Sequence, residues 1–136
     1  MQYRSPRGLR NYGAGGAERL AHLADFLDTV DPKRVTFSFW YDCNGGAGCP
    51  VGIAAAEEPW FQAQGLILSR GDKLSENHPV YDGATEWRAL TRFFEIGIEE
   101  LRRMFDRTGY NGNVRPHPLE VAGKIRSFLA VKVEAA

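Results

Sequence analysis

Hydrophobic positions recur at helical spacing near the start of the chain. Leu20, Leu23, Ala24, Leu27 and Val30 form one apolar stripe, with Phe26 on its flank. The spacing predicts a helix over Ala17 to Val30. Asp31-Pro32 stops it, because the residue before a proline is pushed out of the helical region. From Val35 to Trp40 the pattern changes to alternation. Val35, Phe37 and Phe39 point one way and Thr36, Ser38 and Trp40 the other, which predicts a strand. Asp42-Cys43-Asn44-Gly45-Gly46-Ala47-Gly48-Cys49 follows as a loop. Pro50 suits a first helical turn, and the alanine-rich run Val51 to Glu57 predicts a short helix. Leu66-Ile67-Leu68 and Val80-Tyr81 are brief strand candidates, the second closed by Asp82-Gly83.

The last third is helical. Trp87, Leu90, Phe93 and Phe94 form one stripe; Ile98, Leu101, Met104 and Phe105 form the next. Gly97 between them predicts a tight helix–helix connection. A loop spans Thr108 to Asn113, and a final helix starts near Pro118 and packs Val121, Ile125, Phe128 and Leu129. The expected fold class is α+β: a mostly helical single domain, with four or five helices around a very small β-sheet. The first helix, the helix pair around Gly97 and the last helix should supply the core. The glycine-rich stretch 1–16 predicts a flexible basic arm, and 17–136 a single globular domain.

Composition adds exclusions. With 136 residues, 43% of them hydrophobic and 25% charged, the chain suits one ordinary globular domain. Seventeen basic residues balance seventeen acidic ones, so a uniformly basic nucleic-acid binder is excluded. The balance is uneven along the chain: residues 1–16 carry +3, residues 17–68 carry −4 and residues 69–136 carry +1. The arm has no apolar run of about 7–15 residues such as a secretory signal needs. No stretch approaches the ~18 apolar residues of a membrane span. A cytoplasmic protein that does not contact membranes is expected, with Cys43 and Cys49 as thiols.

The Cys43–Cys49 loop invites four chemical readings. Glycine-rich loops at helix starts bind phosphate, but the loop fits neither the P-loop nor the Rossmann pattern. A cysteine-phosphatase loop would need an arginine where Cys49 stands. Asp42-Cys43-Asn44-Gly45 resembles the nucleophile region of papain-like peptidoglycan hydrolases. That resemblance implies a thiol-dependent hydrolase using Cys43 or Cys49 with His78 or His117 as base, within hydrogen-bond reach. Zinc is disfavoured, since five residues separate the cysteines where paired ligands usually have about two to four between them. The spacing is also not the CxxC of thioredoxin-like redox proteins. The favoured reading is structural: thiols that pack as small hydrophobes, and glycines that let the backbone turn sharply. Neither a metal nor a cofactor is expected.

Two further features were candidates for recognition. Phe94-Glu95-Ile96-Gly97-Ile98 resembles the turn of a helix-turn-helix. Phe93 and Arg103, however, occupy the positions that need a small and an aliphatic residue, so an ordinary αα-hairpin is expected. Arg4, Arg7 and Arg10 recur every three residues, with Tyr3 and Tyr12 nearby. They are the candidate partner-binding residues; nucleic acid is a possible but disfavoured target of this arm. Trp60-Phe61 and Tyr110 are candidates for an exposed contact patch, and His22 for a surface or boundary position.

The order of elements resembles that of small phage and prophage proteins. The matching pieces are Leu23-Ala24-Asp25-Phe26-Leu27, the run ending Phe39-Trp40, and Cys43 to Ala54 with its two cysteines ahead of Gly52. Phe93-Phe94, Glu99-Glu100-Leu101, Met104-Phe105 and the helix from Pro118 to Leu129 also fit. The resemblance spans about residues 17–130, leaves out the arm and brings no activity with it. It implies a mobile-element accessory protein. The expected function is therefore non-enzymatic: binding of a macromolecular partner, a protein, in the manner of a phage-type inhibitor of a host system.

Overall fold

The computed structural model describes residues 15–135. Helix α1 spans Gly16–Leu27 and buries Leu20, Leu23, Ala24 and Leu27, the predicted stripe. It starts at Gly16, inside the expected arm, because that residue meets another helix end. A Cβ there would stand 2.0 Å from the Phe94 carbonyl oxygen. The helix stops three residues before the predicted Val30. Thr29 turns its hydroxyl back to the Phe26 carbonyl (2.7 Å), and Val30 tucks its side chain into the core. The arm residues Arg4, Arg7 and Arg10 lie outside the described residues.

Val35 to Trp40 is not a strand. Its pairing with the glycine loop is confined to isolated bridges, Val35 to Gly48 and, just past the segment, Tyr41 to Gly48. The Phe37 N–H donates to the Val114 carbonyl (2.7 Å) and the Ser38 N–H to the Thr36 hydroxyl (3.2 Å), so no ladder forms. Val35 and Thr36 are both buried although they are sequence neighbours, which alternation forbids. The segment is an irregular wall rather than a sheet edge.

Helix α2 (Pro50–Glu57) is the most deeply set element, buried from Pro50 through Ala55. Arg34 clasps it at one end, bonding the Gly46 carbonyl (2.9 Å) and pairing with Glu57, which also accepts from the Tyr41 hydroxyl (2.5 Å). Helix α3 (Pro59–Ala63) follows, started by the Glu58 carboxylate, which accepts the Trp60 N–H. Strands β1 (Ile67–Ser69), β2 (His78–Tyr81) and β3 (Ala84–Thr85) form an antiparallel sheet in sequence order. Ile67 pairs with Val80, and Tyr81 with Ala84. Asp82 and Gly83 both have positive φ (52° and 76°), as a tight two-residue hairpin turn requires.

Helices α4 (Glu86–Phe94) and α5 (Ile98–Phe105) form the expected hairpin. Arg103 is exposed and Phe93 is fully buried, as an ordinary αα-hairpin allows. Helix α6 (Pro118–Ala135) runs along α1, where Arg126 bridges Asp25 (3.0 Å) and Asp28 (2.7 Å). The α+β, mostly helical architecture therefore matches the expectation. The core also includes α2 and an aromatic run from Phe61 through Phe93 and Phe94 to Phe105, with centroids 4.9–6.0 Å apart. No helix among the described residues is long and apolar enough to cross a membrane.

Candidate functional site

The irregular wall 37–40 leaves a cleft of about 510 Å³ between itself, the start of α4 and the end of α5. Phe37, Phe39, Trp40, Trp87 and Phe105 supply its aromatic lining. Trp40 and Trp87 meet edge to face, with centroids 5.2 Å apart, and form one corner. Leu74, Ser75 and Ser38 border the cleft and are exposed, so it is open to solvent. Two carboxylates complete it, Glu86 at the first position of α4 and Asp106 just past α5. Asp106 also accepts the Thr108 N–H (3.2 Å) and hydroxyl (2.8 Å), which starts the short 3-10 turn that follows.

Main-chain contacts hold this wall. The Cys49 N–H points at the Phe39 and Trp40 carbonyls (3.1 and 3.0 Å). Gly48 and Gly52 lie against the same Trp40 carbonyl; a Cβ on either would come within 2.3 and 1.8 Å of its oxygen. Gly48 of the loop and Gly52 of α2 are thus needed for close approach, whereas a Cβ on Gly45 would meet open space.

Glu86 has φ +54°, a left-handed conformation that is uncommon for a non-glycine residue. Such conformations cost roughly 1–2 kcal/mol and tend to gather at binding sites. It follows Thr85 of the hairpin directly and turns the chain from β3 into α4 at the cleft.

Cys49 borders the cleft yet is only 3% exposed. Burial pushes its thiol up to about 12; the Val51 and Gly52 amides at the start of α2 pull the other way and lose, while Asp106 adds to the rise. A neutral thiol at neutral pH is a poor nucleophile. Cys43 is exposed, and its sulfur accepts from the Arg70 guanidinium at 3.2 Å. The two cysteines are free thiols. His78 lies on β2, where its Nδ1 is 3.5 Å from the Pro79 carbonyl. His117 caps α6, its Nδ1 accepting the Leu119 N–H (3.1 Å). Neither imidazole lines the cleft that Cys49 borders. Among the described residues, no three His, Cys, Asp or Glu side chains gather as a metal site requires.

The raised thiol has a measurable consequence. Unfolding releases Cys49 to an ordinary thiol, so above about pH 9 the unfolded chain binds fewer protons than the folded one. Its contribution to stability is complete below pH 9 and is lost as pH rises toward 12. Tyr41, also raised to about 12 by burial and by the Glu57 carboxylate, adds to the loss above pH 10. The urea midpoint should fall steadily from pH 9 upward. Cys49→Ala should flatten the part of that fall between pH 9 and 10, where Tyr41 does not yet contribute.

The expected exposed patch is not one. Phe61 is fully buried, Tyr110 is 6% exposed and donates its hydroxyl to the Met104 carbonyl (2.7 Å), and Trp60 is half-covered. His22 lies flat on Trp60, with centroids 3.6 Å apart, which makes it a boundary residue. Sequence patterning did not single out Glu86, Trp87, Phe105 or Asp106 as a site. The signal available was the failure of Phe37 to Trp40, with aromatics on both would-be faces, to provide a polar side for a half-buried strand. Compared with protein-family models, with curated proteins and with solved structures, the chain matches none of them.

Proposed function

We propose that this chain is a non-enzymatic binding protein that acts on a protein partner, and that the aromatic cleft is where the partner docks. The observation that carries this reading is the cleft itself: Phe37, Phe39, Trp40 and Trp87 are partly exposed around it, Phe105 is buried beneath it, and glycine contacts pin the wall at Trp40. Rigid aromatic rings supply large contact area at low entropic cost and dominate binding hot spots. The competing hydrolase reading needs a thiolate beside an imidazole. The thiol at the cleft is buried and raised, the exposed Cys43 has the Arg70 guanidinium beside it, and His117 caps α6. The finer role, an accessory protein of a phage or prophage that inhibits a host system, rests on the resemblance of residues 17–130.

Site-specific photo-crosslinking tests the reading. A photoreactive residue at Ser38, on the cleft, should capture a protein that the same residue at exposed Lys33 does not. Trp87→Ala should abolish that capture, and Cys49→Ala should not. Equal capture at both positions, or capture indifferent to Trp87, would overturn the assignment of the cleft. Loss of the partner's effect in Cys49→Ala with its binding intact would instead favour the thiol chemistry.

A further inference from the structure

The cleft carries charge of one sign. Glu86 and Asp106 are its only ionisable carboxylates, and no lysine, arginine or histidine lines it. Among the described residues no cation lies within ion-pair distance of either carboxylate, whereas Glu57, Asp25 and Asp28 all have arginine partners. Two carboxylates without a cation partner, Glu86 exposed and Asp106 half-buried, beside a corner of two indoles make a negative surface. Aromatic faces attract cations through their quadrupole, tryptophan most strongly. The chain supplies its own precedent: Arg102, which does not line the cleft, holds its guanidinium 6.0 Å from the centre of the Trp87 ring. The same charges repel a phosphate backbone, so aromatic stacking with a single-stranded nucleic acid is disfavoured here. A volume of about 510 Å³ takes a few side chains rather than a folded face.

We infer that the cleft recognises a positively charged side chain, an arginine or lysine flanked by apolar residues on a short stretch of the partner protein, held between the Trp40–Trp87 corner and the carboxylates of Glu86 and Asp106. The inference rests on the binding reading above and gives its partner a chemistry. The aromatic walls take the apolar neighbours and the stem of the basic side chain. The carboxylates take its charged head. The left-handed turn at Glu86 places a carboxylate at the junction of β3 and α4, where it borders the cleft.

The three tryptophans give a direct readout, because Trp40 and Trp87 line the cleft and Trp60 lies under His22 on another face. The 15N-labelled protein would be titrated with three blocked tripeptides: Phe-Arg-Phe, its citrulline isostere, and Phe-Glu-Phe. The arginine peptide should shift the Trp40 and Trp87 indole N–H signals and leave Trp60 in place. The citrulline peptide should need about tenfold more for the same shift, since it keeps the shape and loses the charge. The glutamate peptide should be weaker still. Glu86→Asn combined with Asp106→Asn should erase the arginine preference. Asparagine tolerates the left-handed conformation at 86 and keeps the cap at 106, so the fold is preserved. Equal response to arginine and citrulline would overturn the charge selection while leaving the cleft as a docking site. No shift of Trp40 or Trp87 with any peptide would overturn the inference outright. The Ser38 cross-link would then judge the binding reading separately.

Discussion

Gly52→Ala should be among the most damaging single substitutions in this protein, costing at least about 3 kcal/mol for the addition of one methyl group. The new Cβ would stand 1.8 Å from the Trp40 carbonyl oxygen and 2.7 Å from its carbon. Both are main-chain atoms, so no side-chain rotation relieves the clash. Gly52 sits inside α2, which is buried from Pro50 to Ala55 and cannot slide away without opening the core. The wall 37–41 must therefore move, and with it the Cys49 amide bonds to Phe39 and Trp40. By helix propensity alone the change would be favourable by about 0.8–1 kcal/mol, so its sign decides which effect wins. Urea denaturation monitored by circular dichroism measures the loss. The Trp40 and Trp87 indole signals show whether the cleft is lost with it. A variant as stable as the parent would mean that the contact between α2 and the wall is looser than the geometry states.

Phe93→Ala should cost about 3–5 kcal/mol, as an aromatic-to-alanine change in a core does. Phe93 is fully buried and touches Phe94, Tyr81 and Phe61, with centroids 4.9, 5.1 and 6.0 Å away. Its ring also lies 4.4 Å from the guanidinium carbon of Arg19. Arg19 is 4% exposed, and no carboxylate among the described residues lies within ion-pair distance of it. Its Nη1 donates to the Phe93 carbonyl at 2.9 Å and its Nη2 contacts Gln64, while Nε has no partner among the described residues. The aromatic face thus does work that a counter-ion does elsewhere. Removing it takes away part of the support of a buried charge as well as leaving a cavity; the Phe93 carbonyl and the Tyr81 ring, 5.3 Å away, remain. A double-mutant cycle with Arg19→Met separates the two. Phe93→Ala should cost measurably less in the Arg19→Met background, because there the ring no longer faces a charge. An unchanged cost would reduce the pair to simple packing.

The helices were legible because each carries its own periodic stripe. Leu20 to Leu27, Trp87 to Phe94 and Ile98 to Phe105 have the spacing that burial demands, and their caps are local: Gly97 before α5, Pro118 at the first position of α6. Strands β1 and β2 were legible, the second from the turn residues Asp82-Gly83 that close it, while the two-residue β3 was too short to carry a pattern. The wall 35–41 was misread because alternation within a segment says nothing about whether a partner strand exists. Here the neighbour that Phe37 bonds is Val114, far along the chain. The cleft was illegible for the same reason: Trp40, Trp87 and Asp106 come from three segments, and only the tertiary fold brings them together. His117, named only in the alternative hydrolase reading, stands one residue before Pro118 and caps the helix that the proline starts.

The pinning of the 37–40 wall through glycines and amides also bears on how this surface can change. Its path is set by contacts between main-chain atoms at Gly48, Cys49, Gly52 and Trp40. Side chains at 37, 38 and 39 take no part in those contacts. Ser38 and Phe39 can therefore drift, or be randomised in a library, while the frame beneath them stays in place; Phe37 is tied down by its packing on the core and on Tyr110, with ring centroids 5.3 Å apart. The frame of the wall is thus written in its glycines, and the proposed docking surface can be altered at positions 38 and 39 without disturbing it, while Trp40 belongs to both.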